Sequence, residues 1–299
     1  MDRAKLLTEQ RNPASMELDQ LSTAEAVALI QAEDRTIHVA LAAAQPAIAS
    51  AVDLIAARMR AGGRLFYLGA GTSGRLAMLD SVECPPTFQS DPQLVQALIA
   101  GGPAALIGAV EGAEDDEHGA AKELERRGLG PGDVLFGVAA SGTTPFVRAG
   151  LAFARQRGAA TIFLACVPRD LVDDSADVSI RVVTGPEVLT GSTRMKAGTA
   201  TKLVLNTIST LVMVRLGKVH GNLMVALNTR GNAKLADRGV RMVMELGRCE
   251  RTRAAQLLAA ADAQVQVAVL MAQRGLEPAA ARERLERCGG NLREALGAE

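Results

Sequence analysis

The chain has 299 residues, enough for one full α/β domain and a smaller appendage. Its 33 Lys and Arg residues balance 33 Asp and Glu residues, so it lacks the positive charge of a nucleic-acid-binding protein. Aromatic residues make up 2% of the chain, too few for the stacking platforms that bind single-stranded nucleic acid.

The N-terminus and the cysteines indicate the cellular compartment. Residues 1–13 carry several charges and no apolar signal-peptide core. The longest uninterrupted apolar stretches, 103–110 and 161–167, fall far short of a membrane span. The 4 cysteines lack the paired spacing of a disulfide framework or a zinc site. These features predict a cytoplasmic protein with no membrane partner and no bound metal.

Residues 17–60 come first in the chain order and repeat apolar positions with the period of a helix. Asp34 is a candidate cap for the second of two helices, and Gly62-Gly63 is its expected end. We therefore predict an N-terminal helical segment over residues 1–44.

Short apolar runs bounded by glycine then alternate with helical stretches. Such runs are typical of strands that are buried on both faces of a parallel sheet. They predict an α/β fold with a doubly wound five-stranded parallel sheet over residues 45–232. From residue 233 to 299 the composition shifts to Ala, Leu, Arg and Glu, which predicts a C-terminal helical module. The predicted strands are 64–68, 94–100, 133–139, 160–167 and 178–183.

The first predicted strand ends in a glycine-rich loop, Gly69–Arg75, that matches the dinucleotide fingerprint G-x-G-x-x-G. Two features argue against a dinucleotide. The second strand ends in Gly101-Gly102 without the acidic residue that holds a ribose, and Thr72 and Ser73 add hydroxyl groups to the turn.

The third predicted strand ends in a similar loop that contains Ser141, Gly142 and Thr143. Ligands of open parallel sheets bind at the carboxyl ends of the strands, so both loops should face one crevice. Hydroxyl and backbone N–H donors at helix N-termini can hold a phosphate monoester, at about 1.5–3 kcal/mol for each hydrogen bond. The alternative is that these residues only cap their own helices.

Residues 185–202 follow the fifth predicted strand and carry the positive charge that the first two loops lack. Ser192 is a further hydroxyl donor, and Arg194 and Lys202 are candidate ligands for a phosphate or carboxylate. The sequence leaves open whether Arg194 or Lys196 would bind a carboxylate. The alternative is a capped helix with solvated basic residues.

Two groups of carboxylates are candidate acids and bases. Glu83 lies beside Cys84 and two prolines, which we expect to limit its solvation and raise its pKa toward that of a general acid. Glu111 and Glu114 precede a predicted helix, where they can face the crevice, whereas residues 115–117 are explained by the helix dipole.

Taken together, these segments resemble the N-acetylmuramic acid 6-phosphate etherases over nearly the whole chain. The matching segments are 7–13, 68–75, 83–88, 111–115, 140–146, 191–196 and 221–224.

The resemblance implies a sugar isomerase (SIS) fold, a homodimer, no metal or other cofactor, and cleavage of a lactyl ether to give N-acetylglucosamine 6-phosphate and D-lactate. It implies that Glu83 is the general acid and Glu114 a second catalytic carboxylate. Similarity to the related glucokinase regulatory protein implies that the phosphosugar contacts are Thr72, Ser73, Ser141, Gly142, Thr143, Arg194 and Lys202.

Three other functions remain open on the sequence. A phosphosugar isomerase needs the same loops and a base, but no acid beside carbon 3. A regulator that binds a phosphosugar without turnover needs neither carboxylate. A dinucleotide oxidoreductase is the third.

Overall fold

The computed structural model describes residues 6–227, 229–230 and 233–297. The chain forms two compact units. The first runs to Ser81 and resumes over Gln93–Ser209, and the second comprises Val82–Pro92 and the chain from Thr210 onward. The domain boundaries predicted at residues 44 and 232 stay a prediction.

The first unit contains a five-stranded sheet in which every neighbouring pair is parallel. The first four strands are buried along their whole length, as expected for a sheet covered on both faces. The predicted fold class is confirmed. The strands are β1 (Leu65–Gly69), β2 (Val95–Ile99), β3 (Val134–Val138), β4 (Ala160–Ala165) and β5 (Val178–Arg181).

The strand order β2-β1-β3-β4-β5 places the reversal of direction between β1 and β3. The chain leaves β1 toward β2 on one side and leaves β3 toward β4 on the other. In the β1–β3 register, Gly69 is paired with Val138, so the two strands end level with each other. Ligands of open α/β sheets bind at such a switch point, outside the carboxyl ends of the strands.

In the part of the first unit that the structure describes, seven α-helices begin, and two of them, α3 and α7, continue into the second unit. Against the sheet, α6 buries Phe146 and Val147. Asp80 of α3 is buried and accepts hydrogen bonds from the Tyr67 hydroxyl of β1 and the Ser209 hydroxyl of α7, both at 3.1 Å. Burial raises the pKa of Asp80 above its ordinary value, although these two hydrogen bonds lower it. The helices are α1 (Thr23–Asp34), α2 (Thr36–Arg60), α3 (Gly71–Phe88), α4 (Ala104–Ile107), α5 (Gly119–Arg126), α6 (Pro145–Gln156) and α7 (Lys196–Arg215).

The N-terminal helices were predicted, but the prediction of their cap is wrong. Asp34 is the last residue of α1, and the N-cap of α2 is Arg35, whose side chain makes no capping bond. The side-chain cap belongs to α1, where Ser22 and Glu25 form a capping box.

Two helical stretches, Thr23–Arg60 and Lys196–Arg215, are long and apolar enough to cross a bilayer by length and composition alone. A third would result if the bent pair of helices over residues 251–274 counted as one span. The prediction from sequence considered only uninterrupted apolar runs and therefore missed these longer, predominantly apolar helices. In the second stretch only some of the apolar side chains are buried in the protein interior, among them Val204, Leu205 and Ile208.

The second unit is helical in its described residues and has its own apolar core. Val243, Val267 and Leu270 are fully buried in that core. The sequence predicts helices over 233–247, 250–262, 265–275, 278–288 and 291–297, and these are confirmed within a residue or two at their ends. They are α8 (Ala233–Gly247), α9 (Arg251–Ala260), α10 (Val265–Arg274), α11 (Pro278–Arg287) and α12 (Leu292–Gly297).

Candidate phosphosugar site

A cavity of about 270 Å³ lies in the first unit, where the loops that follow β1 and β3 meet. Its position is the one that the switch point of the sheet predicts. Three further segments complete its wall: the N-terminal turn, the turn before α5 and the loop before α7. The lining residues are Leu6, Glu9, Ala70, Gly71, Thr72, Ser73, Glu114, Asp115, Ala140, Ser141, Thr143, Thr144, Pro145 and Thr193.

The loop after β1 turns tightly into α3 because two of its glycines are in close contact. A Cβ atom on Gly74 would lie 2.6 Å from Cγ1 of Ile99, and one on Gly69 would lie 2.7 Å from the backbone nitrogen of Gly74. Thr72 and Ser73 are half-buried, and their hydroxyl groups make no hydrogen bond to another described residue. These hydroxyls are therefore available to a ligand.

The loop after β3 has a similar arrangement. Gly142 has a φ of +76°, and a Cβ atom there would lie 3.0 Å from Cγ1 of Val172, so a side chain would be strained. The hydroxyls of Ser141 and Thr143 are 2.9 Å apart. Thr144 is the N-cap of α6 but makes no side-chain capping bond. Capping therefore does not account for the hydroxyl groups of this loop. The first residue of α6, Pro145, has no backbone N–H, and the N–H of Val147 donates to the carbonyl oxygen of Thr144 at 3.1 Å.

Among the residues that the structure describes, the cavity wall carries three carboxylates, those of Glu9, Glu114 and Asp115, and no Lys or Arg. Glu114 lies in the 3₁₀ turn Ala113–Asp115, which follows the left-handed residue Gly112. A phosphate here would be held by the hydroxyls of both loops and by backbone N–H groups at the N-terminus of α3. The carboxylates can accept hydrogen bonds from neutral groups of the same ligand.

The structure brings together five of the residues that the sequence predicted, namely Thr72, Ser73, Glu114, Ser141 and Thr143. Six others do not line the cavity in the described part of the chain, and their contact with a ligand stays a prediction. They are Glu83, Glu111, Gly142, Ser192, Arg194 and Lys202.

The surroundings of Glu83 differ from those that the sequence predicted. It belongs to the part of α3 that lies in the second unit, and its side chain is exposed. The neighbouring Cys84 is buried, but the carboxylate of Glu83 is not removed from water. The expectation of limited solvation is therefore wrong for this structure.

Sequence reasoning missed several lining residues. Asp115 was explained by the helix dipole, yet it lines the cavity. The carboxylate that bonds to the start of α5 is that of Asp116, whose Oδ1 accepts from the backbone N–H groups of His118 and Gly119. Glu9 and Thr193 lie within the matching segments 7–13 and 191–196, but neither residue was assigned a role.

A polar cluster fixes the N-terminal segment beside this cavity. The Glu33 carboxylate accepts a hydrogen bond of 2.6 Å from Nζ of Lys196 and one of 2.7 Å from Nδ2 of Asn12. Glu187 is fully buried and accepts from the backbone N–H groups of Lys196 and Ala197, each at 2.9 Å. Because the Lys196 side chain is 3% exposed and paired with Glu33, it is not free to bind a substrate carboxylate.

The Glu33 pair should make stability depend on acid pH. Burial raises the pKa of Glu33, but the hydrogen bonds from Lys196 and Asn12 outweigh it and hold the pKa below its ordinary value. The stabilisation is thus complete above the unfolded-state pKa of about 4.3 and is lost as the pH falls through the lower folded-state pKa. We expect Glu33→Gln to flatten the fall of the thermal unfolding temperature below about pH 4.5, measured against the wild-type protein.

Asp34→Asn is the matched control, since it removes the adjacent charge and should leave the acid dependence unchanged. Parallel curves for the wild type and Glu33→Gln would show that the cluster does not control acid stability.

Comparison with known proteins supplies the family context. The sequence model of the glucokinase regulatory protein N-terminal SIS domain matches residues 47–155. The N-acetylmuramic acid 6-phosphate etherase of Synechococcus sp. (strain CC9605) is 55% identical over 99% of this chain and 94% of its own. The enzyme of that name from Mycolicibacterium smegmatis is 51% identical over 100% of both chains.

Among solved structures, a phosphoheptose isomerase from Francisella tularensis superposes with a TM-score of 0.52. It is 18% identical, and the match covers 65% of this chain and 100% of that one. At this identity the likeness concerns the fold, and it confirms an architecture of the SIS type.

Proposed function

Because the chain belongs to the N-acetylmuramic acid 6-phosphate etherase family, we propose that it cleaves the D-lactyl ether of N-acetylmuramic acid 6-phosphate. The products are N-acetylglucosamine 6-phosphate and D-lactate, which places the enzyme in the recycling of cell-wall amino sugars. The observation that supports this function best is the cavity at the switch point, which combines hydroxyl-rich loops with carboxylates that make no ion pair with another described residue.

The phosphate binds at the two hydroxyl-rich loops. Ser141, Thr143, Thr72 and Ser73 offer neutral donors beside two helix N-termini, and each hydrogen bond to the phosphate contributes about 1.5–3 kcal/mol. The Coulomb repulsion between phosphate and carboxylate keeps the phosphate away from Glu114. The sugar carbons are therefore directed toward the acidic wall.

The reaction is an elimination followed by the addition of water. With the sugar ring open, the aldehyde acidifies the hydrogen on carbon 2, and Glu114 takes that proton. Glu83 gives a proton to the lactyl oxygen as its bond to carbon 3 breaks, which releases D-lactate. The ionised Glu83 then activates water to add at carbon 3, and Glu114 returns the proton to carbon 2. The enzyme is thus a carbon–oxygen lyase.

The two carboxylates are supported differently. Glu114 is supported by its place on the cavity wall and by the family motif around it. Glu83 is proposed on the resemblance of residues 83–88 to the family alone. The contact of Arg194 and Lys202 with the substrate also rests on the resemblance, because neither residue lines the cavity. In this structure Nζ of Lys202 donates to Oδ1 of Asn206 at 2.6 Å.

We also propose a cytoplasmic homodimer. The dimer is supported by the family resemblance and by exposed apolar residues of α1 and α2, of which Val39 is 73% exposed. Sedimentation equilibrium should give twice the mass of one chain.

The direct test is incubation of the purified protein with N-acetylmuramic acid 6-phosphate and measurement of the D-lactate released. Ketose formation without D-lactate would indicate a phosphosugar isomerase instead. Saturable binding without either product would indicate a regulator.

A further inference from the structure

The N-terminal segment contributes a carboxylate to the cavity. Leu6 is 3% exposed and packs in the apolar core beneath the sheet loops, and Thr8 is fully buried. Glu9 follows them at the end of the 3₁₀ turn Leu7–Glu9 and lines the cavity together with Leu6. The buried neighbours therefore fix the backbone from which the Glu9 side chain extends.

The same segment is tied down just after Glu9. Nδ2 of Asn12 donates to Glu33 and, at 3.2 Å, to the carbonyl oxygen of Pro186. The Ser15 hydroxyl donates to the carbonyl oxygen of Val188 at 2.7 Å. These bonds join the N-terminus to the loop before α7, so Glu9 is held in place by contacts on both sides.

The charged carboxylate of Glu9 has no structural role within the described part of the chain. Its carboxylate makes no hydrogen bond or ion pair with another described residue. It lies against Gly191, where a Cβ atom would be 3.4 Å from Oε2 of Glu9, in the loop that also brings Thr193 to the cavity.

The chemistry of the cavity limits what Glu9 can bind. An ionised carboxylate only accepts hydrogen bonds, so its partner must carry an O–H or N–H group. A phosphate repels it, and the hydroxyl-rich loops already offer the phosphate its donors. Hydroxyl and acetamido N–H groups of a sugar are donors of the required kind.

We propose that Glu9 is a substrate-binding residue that accepts a hydrogen bond from a neutral donor of the sugar and selects sugar phosphates over phosphate itself. This inference rests on the proposed function, since it assigns a further residue to the same site. It gives the N-terminal segment a part in specificity.

The test is calorimetric titration of the full chain with two probes, N-acetylglucosamine 6-phosphate and inorganic phosphate. For Glu9→Gln we expect the affinity for the sugar phosphate to fall about tenfold, because a charged acceptor is lost. The affinity for inorganic phosphate should stay the same or rise, because a nearby negative charge has been removed. In turnover, KM should rise while kcat is retained.

Asp19→Asn is the matched control, because it removes an exposed carboxylate of the same segment that does not line the cavity. It should bind both probes like the wild type. Unchanged sugar-phosphate affinity in Glu9→Gln would overturn the inference, and so would an equal loss for both probes, which would indicate a disturbed cavity. Absence of D-lactate release by the wild type would instead count against the proposed function, since the titrations do not depend on turnover.

Discussion

Replacing Glu83 with glutamine should slow D-lactate release from N-acetylmuramic acid 6-phosphate by about a hundred- to ten-thousandfold. An amide cannot give a proton to the departing lactyl oxygen, so the bond to carbon 3 would break only slowly. The preceding step needs a base but no acid at carbon 3. Exchange of the carbon-2 hydrogen with solvent deuterium should therefore remain measurable by NMR.

The variant should fold normally, because Glu83 is exposed and surface substitutions change stability by about 0.5 kcal/mol or less. A thermal unfolding curve checks this. If lactate is released at a rate close to that of the wild type, Glu83 is not the general acid. If exchange disappears together with release, Glu83 acts before the elimination.

The Glu114→Gln variant should lose both reactions together, since without the base neither exchange nor elimination can begin. We expect both rates to fall by about a hundred- to ten-thousandfold. Both rates are measured in deuterated buffer, the exchange of the carbon-2 hydrogen by NMR and the release of D-lactate by direct assay. The contrast with Glu83→Gln assigns the two carboxylates to separate steps.

Glu117→Gln is the control for this variant. Glu117 belongs to the same acidic run, is exposed and does not line the cavity, so its loss should leave both rates unchanged. Persistent exchange in Glu114→Gln would mean that another group removes the carbon-2 proton, and Asp115 is then the next residue to test.

The sheet could be predicted because its strands are short apolar runs that glycines separate. Burial on both faces leaves a strong local signal, as in β1 and β3. The pairing of the two loops followed from a general rule about parallel sheets. The cap of the second helix was harder, because α1 extends through Asp34 and the break before α2 falls at Arg35, a position that no capping residue marks.

The site was predicted only where local sequence defines it. Thr72 and Ser141 lie directly after strands, and their place follows from the topology. Glu9 reaches the cavity through tertiary contacts, such as the bond from Asn12 to Pro186 across 174 positions of sequence. Contacts of this range leave no pattern in a single sequence.

The level ends of β1 and β3 make ligand binding a property of the folded sheet. Their loops are far apart along the chain, and only strand pairing sets Gly69 opposite Val138. An unfolded chain therefore has no affinity for the ligand, and saturation at about 100 times Kd adds about 2.7 kcal/mol to the free energy of unfolding. Melting temperature then reports occupancy even in variants that have lost all turnover.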